Sequence, residues 1–138
     1  MIEDKFMEIE DFDESSSERI VIAKLDVEKV FHYTGIQFFN EDVYLTPGLV
    51  KHIKRRHDGI WEIYKTEISN SILNPDYIGV NPKHDNSIEI YKRLDNVILI
   101  AITSKEDAGV IISSIYELDN AEHKITKRLN SGRIQEFD

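Results

Sequence analysis

"SIEIYKRLDNVILIAITSKEDAGVIISSIYELD", residues 87–119, decides the fold. Three runs rich in β-branched and aromatic residues are separated by "DN" and "EDAG", which are turn compositions. "DYIGVNP" precedes them and "KHDN" separates it from the first. Connections this short force antiparallel neighbours, because a parallel crossover needs a dozen or more residues. Residues 77–119 therefore read as a four-stranded meander, with "RLDNVI" a two-residue hairpin.

Upstream of the meander the pattern is helical. "RIVIAKL" reads as a strand, and "DVEKVFHYTG" as a helix with Asp26 as N-cap and Gly35 as stop. "NEDVYLT" is loop and then a short strand. Thr46 caps a helix in which Pro47 suits the first position, and Asp58-Gly59 ends it. A further helix is expected over 60–73, where Trp61, Tyr64, Ile68 and Ile72 form an apolar stripe. "NPD" at 74–76 stops it, since a residue before proline avoids the helical region. "EHKITKRLNSGRIQEF" closes the chain as a short helix or an irregular strand. The expected class is α+β, an N-terminal strand and helices packed on a four-stranded antiparallel sheet.

The 138 residues fit one domain, expected over 19–138, and no cysteine is present for a disulfide or a thiolate metal site. No apolar run is long enough to span a membrane, and the start lacks the basic n-region of a signal peptide. A soluble, cytoplasmic protein without a membrane partner is expected. The net charge of −9 is concentrated in residues 1–18, where eight acids and one base give −7 and leave −2 for the remainder. That leader is expected to be a disordered, solvated tail, or an arm covering a basic site. The near-neutral remainder has room for a basic patch.

Such a patch stands in "TPGLVKHIKRRHDG", residues 46–59. On a helical wheel Leu49, Val50 and Ile53 define the apolar face and His57 falls on it. His52 and Arg56 lie together along its edge, while Lys51, Lys54 and Arg55 point toward water. An ordinary amphipathic helix with a charged outer face explains this, and so does a site that grips phosphate. In "SIEIYKRL", Ile88, Ile90 and Lys92 share one face, and Glu89, Tyr91 and Arg93 the other. In "VIISSIYEL", strict alternation puts Val110, Ile112, Ser114, Tyr116 and Leu118 together. A mid-strand serine on a packing face must be hydrogen-bonded or border a cleft. The expected site is thus a cleft between the helix and the sheet, holding His52, Arg56, His57, Lys92, Ser114 and Tyr116.

These residue types suit RNA cleavage by 2′-OH attack. Histidine titrates near neutrality and serves as base or acid. Arginine grips phosphate with its fork and lysine as a point charge. No metal or other cofactor is expected, since the two histidines are five apart rather than at the i, i+4 spacing of a zinc pair. A nucleotide P-loop and a nucleophile elbow are both lacking.

"VYLTPGLVKHIKRRH", "ILNPDYIGVNP", "SIEIYKRLDNVILIAI" and "GVIISSIYEL" together resemble the phage-associated branch of the barnase–EndoU–colicin–RelE nucleases, over residues 19–134. The resemblance implies a metal-independent RNase fold, helices on a four-stranded sheet, found as a toxin or effector module. It implies RNA, tRNA among the candidates, as substrate, and an antitoxin or immunity protein as partner. Carried over by position, it points to His52, Arg56, His57, Lys92, Ser114 and Tyr116; the expected catalytic residues are His52, His57, Lys92 and Ser114, and the expected substrate-binding residues are Arg55, Arg56, Tyr91 and Tyr116. Arg55 is an extra base beside Arg56, so either arginine could face the phosphate. Ser114 stands where threonine is more usual. A silent domain of the same fold, binding RNA or a protein, is the alternative.

Overall fold

The computed structural model describes residues 19–56 and 59–138. The acidic leader and His57 lie outside the described residues. In chain order the elements are β1 (Ile20–Lys24), α1 (Val27–Thr34), β2 (Asp42–Leu45), α2 (Pro47–Arg56), α3 (Ile60–Tyr64), a 3-10 turn (Lys65–Glu67), α4 (Ile68–Leu73), β3 (Tyr77–Val80), β4 (Ser87–Arg93), β5 (Val97–Lys105), β6 (Gly109–Glu117), α5 (Ala121–Ser131) and β7 (Ile134–Glu136).

The capping chemistry is where the sequence puts it. Asp26 accepts from the Lys29 amide at 3.1 Å, and Gly35 closes α1 at φ 75°. Thr46 Oγ1 accepts from the Leu49 amide at 3.3 Å, with Pro47 as the first helical residue. The helix expected over 60–73 is two helices joined by the 3-10 turn, although its stripe of Trp61, Tyr64, Ile68 and Ile72 is buried throughout. The tighter turn keeps the stripe facing the sheet while the axis shifts. Arg93 pairs with Val97, so the β4–β5 loop is the three residues 94–96 rather than two. Leu94 leaves the strand to pack on the core.

The predicted meander forms as β3–β4–β5–β6, all antiparallel. Among the described residues the sheet has seven strands, however, not four, in the order β1-β2-β6-β5-β4-β3-β7. Both edges of the meander are covered, which removes unpaired backbone donors and acceptors. β7 pairs with β3, and the β1–β2 pair joins through β2, which runs parallel to β6. The chain end is therefore both a helix and a strand.

Helices α1 to α4 pack on one face of this mixed sheet. Val30, Val50, Ile53, Trp61, Tyr64, Ile68 and Ile72 meet Ile88, Ile90, Ile98, Ile100, Ile102, Val110, Ile112 and Ile115 there. On the other face α5 is the one helix among the described residues, over a smaller core of Tyr91, Val97, Leu99, Leu118, Ile125 and Ile134. Ile125 is the one fully buried residue of α5, an anchor contributing about 1.5–3 kcal/mol. β5 is buried on both faces, which is why it reads as a continuous apolar run. Among the described residues, no helix is long and apolar enough to cross a membrane.

Candidate functional site

The α5 face carries the polar chemistry, and a bulge puts it there. Ile102 pairs with Ile112 but Ala101 pairs with Ser114, so Ser113 is an extra residue in β6. A bulge of this kind inverts the alternation beyond it. Val110 and Ile112 face the helical layer, as does Ile115, whereas Ser114, Tyr116 and Leu118 turn to the α5 face. The expectation that Val110, Ile112, Ser114, Tyr116 and Leu118 share one face is thereby corrected.

Rows of side chains cross the α5 face. Tyr77, Tyr91, Leu99 and Tyr116 make one row, and Gly79, Glu89, Ala101 and Ser114 the next. Beyond it runs a hydroxyl ladder. Asn81 Nδ2 donates to Ser87 Oγ at 3.1 Å, Ser87 Oγ meets Thr103 Oγ1 at 2.9 Å, and Thr103 Oγ1 meets Ser113 Oγ at 2.9 Å. Ser113 at its end is exposed. Ala101 is the small residue between Glu89 and Ser114.

Glu89 is the centre. It is 5% exposed, and a carboxylate at that depth needs paired donors. Arg133 Nη2 donates to both of its oxygens, at 2.9 and 3.1 Å, and the Tyr91 hydroxyl donates to Oε1 at 3.2 Å. Arg128 Nη1 in turn donates to the Tyr91 hydroxyl at 2.7 Å. One guanidinium thus binds the carboxylate and a second reaches it through the Tyr91 hydroxyl, so the network holds two cations to one anion. The Arg133 Nε is buried and has no acceptor among the described residues. Burial, then the Glu89 carboxylate, pushes the Tyr91 phenol up to about 12 against the opposing pull of Arg128. Burial, then Glu89, also raises Tyr116, which is half-buried on the same row. Both phenols keep their protons at neutral pH.

Local backbone explains how Arg133 reaches the sheet. Gly132 ends α5 at φ 81°, a left-handed conformation that turns the chain back. The Arg133 carbonyl then sits directly over Gly79, where a Cβ would stand 2.2 Å from it. Glycine at 79 is what permits this close passage.

Among the described residues, the expected cleft between helix and sheet is not assembled. His52, Arg55 and Arg56 lie on the exposed side of α2, in the layer on the opposite face of the sheet from Ser114, Tyr91 and Tyr116. Lys92 ends the isoleucine face of β4 as expected. Its Nζ donates to the Asn74 carbonyl at 2.7 Å and lies 4.0 Å from Asp76, at the exit of α4. Glu89, Arg128 and Arg133, which the structure brings together here, were not among the expected site residues. The signal for Glu89 was present in the alternation of "SIEIYKR", which sets Glu89, Tyr91 and Arg93 together. The arginines come from the segment after the meander, and no spacing ties them to β4.

Among the described residues no group of three or more His, Asp or Glu is placed to hold a metal ion. A family model described as phage-Barnase-EndoU-ColicinE5/D-RelE like nuclease3 matches residues 20–125. The matched span includes Glu89, Tyr91, Ser114 and Tyr116 and stops short of Arg128 and Arg133. No curated protein and no solved structure matches the chain.

Proposed function

The chain belongs to this phage-associated barnase–EndoU–colicin–RelE-like nuclease family, and from that premise we propose that it is an endoribonuclease working on the α5 face of its sheet. The observation that carries the proposal is the network in which Arg133 and Tyr91 bind Glu89 and Arg128 binds Tyr91, on the sheet face that also carries Ser114 and Tyr116. Glu89 takes the proton of the attacking 2′-OH. Arg128 and Arg133 hold the phosphate as its charge develops. Ser114 orients a phosphate oxygen. Tyr116, still protonated, returns a proton to the departing 5′ oxygen. The products are a 2′,3′-cyclic phosphate and a 5′-hydroxyl, with no water or metal consumed.

The acid–base role expected of His52 and His57 thus passes to Glu89. The exposed bases of α2 (Lys51, His52, Arg55 and Arg56) become a face that attracts the RNA backbone. Total RNA, tRNA included, incubated with the protein in EDTA tests this. Fragments ending in cyclic phosphate, absent with Arg128→Ala, are the expected result. Fragments carrying 5′-phosphate, or cleavage that needs a divalent ion, would overturn the mechanism.

One observation favours a second reading, a silent domain that binds RNA. Glu89 is already held by two donors, as a structural strut would be. Tight, salt-dependent RNA binding without any cleavage is what that reading predicts. A toxin role with an antitoxin or immunity partner goes with the nuclease reading, and partner binding that blocks the α5 face would support it.

A further inference from the structure

The α5 face does not end at the Glu89 cluster. It continues across β6 to β2, where Tyr44 is level with Ile111. Val43 and Leu45 point into the helical core, so Tyr44 between them lies on the α5 face. The guanidinium of Arg19 stacks on the Tyr44 ring, 3.8 Å from its centroid. A hydrogen bond from Arg19 to the Ala108 carbonyl in the β5–β6 turn holds it across the ring. Arg19 is exposed, so this flat, cationic, aromatic-backed surface meets solvent. From Ile111 the strand runs through Ser113 and Ser114 to Tyr116. At about 3.3 Å per residue the stack lies on the order of 10 Å from Ser114, a step or two along an extended nucleotide chain.

We propose that the Arg19–Tyr44 stack is a nucleobase-binding subsite, which selects an unpaired nucleotide flanking the phosphate held at Arg128 and Arg133. The inference rests on the nuclease reading above. An unstacked base offers a π face that lies well on an arginine plane or an aromatic ring. A paired base has both faces covered by its neighbours, and the deep, narrow major groove of A-form RNA keeps side chains from its edges. The exposed Ser113 hydroxyl lies on the path between stack and cluster, where it meets the sugar. The substrate class is therefore single-stranded RNA, or the unpaired loop of a structured one.

A labelled 2′-O-methyl RNA tests this, since it lacks the attacking hydroxyl and stays intact. Binding by the full chain is measured by anisotropy for the single strand and for the same strand in a duplex. The wild type binds the single strand more tightly. Tyr44→Leu, which keeps an apolar surface without the ring, weakens single-strand binding roughly tenfold or more and leaves duplex binding unchanged. Tyr44→Phe stays within about twofold of the wild type, since its π face is retained. Thermal unfolding of each variant separates a lost stack from a lost fold. Wild-type affinity in Tyr44→Leu, or equal losses for strand and duplex, overturns the subsite alone. A wild type that binds neither form overturns the nuclease reading and the subsite together.

Discussion

Replacing Gly79 by alanine tests how the site is held. The new Cβ would stand 2.2 Å from the Arg133 carbonyl oxygen, 2.8 Å from Ile134 Cγ2 and 3.2 Å from the Arg133 carbonyl carbon. Two of the three are backbone, and no rotamer relieves them. β7 must move away from β3, to which Gly79↔Ile134 and its two neighbouring pairs join it. Overpacking of this kind costs about 1–3 kcal/mol. Moving Arg133 also stretches its hydrogen bonds to Glu89, worth about 1.5–3 kcal/mol because the partners are charged. These contributions overlap, so Gly79→Ala should lose roughly 2–4 kcal/mol in urea unfolding. The melting temperature should fall by on the order of 10 °C, with RNA affinity falling alongside. Gly48 is the control, because nothing lies within 4 Å of a Cβ there. Gly48→Ala in α2 should be neutral or stabilising by about 0.5 kcal/mol. A Gly79→Ala protein within about 0.5 kcal/mol of the wild type, with unchanged RNA binding, would refute the close-passage argument.

Two further outcomes follow from the charges. The Tyr91 phenol is raised to about 12 in the fold, chiefly by burial. Its stabilising contribution is complete below the unfolded value near 10 and is lost as pH rises toward 12. The Tyr91 share of the loss in urea unfolding between pH 9 and 12 should be roughly 2–3 kcal/mol, and Tyr91→Phe should make the fall shallower by that amount, the raised Tyr64 and Tyr116 phenols keeping the remainder. On α2, replacing exposed Lys51, Arg55 and Arg56 by alanine should reduce the salt dependence of RNA binding, by up to about 0.7 in slope for each phosphate no longer neutralised. Turnover at saturating RNA should stay close to wild type, as measured by cleavage at several salt concentrations.

Much of the fold was legible because local signals agreed with one another. Asp26, Gly35, Thr46 and Pro47 mark helix ends by chemistry that acts within one turn. The β-branched runs of 77–119 with their short turns leave few alternatives to a meander. The outer strands were harder, because β7 has three residues and β2 meets β6 in parallel at Tyr44 and Ile111, far apart in sequence. The candidate site was hidden by one residue. The Ser113–Ser114 doublet carries a bulge, and without it the period of two assigns Ser114 and Tyr116 to the wrong face. The basic cluster of "HIKRRH" drew attention by density of charge, yet its described basic members sit on exposed helix surface. Glu89 is legible only as one charge in a strand, and its meaning depends on Arg133 arriving after the left-handed turn at Gly132.

The central claim is that the reacting proton passes through Glu89 on the α5 face. Single-turnover cleavage of a labelled single-stranded RNA in EDTA tests it most directly, comparing Glu89→Gln with His52→Ala. Glutamine still bonds Arg133 and fills the same space, so the fold should survive, as circular dichroism would check. The account predicts a loss of about a hundredfold or more for Glu89→Gln and a near wild-type rate for His52→Ala. A Glu89→Gln protein that cuts at the wild-type rate, or a His52→Ala protein that does not cut at all, would contradict it.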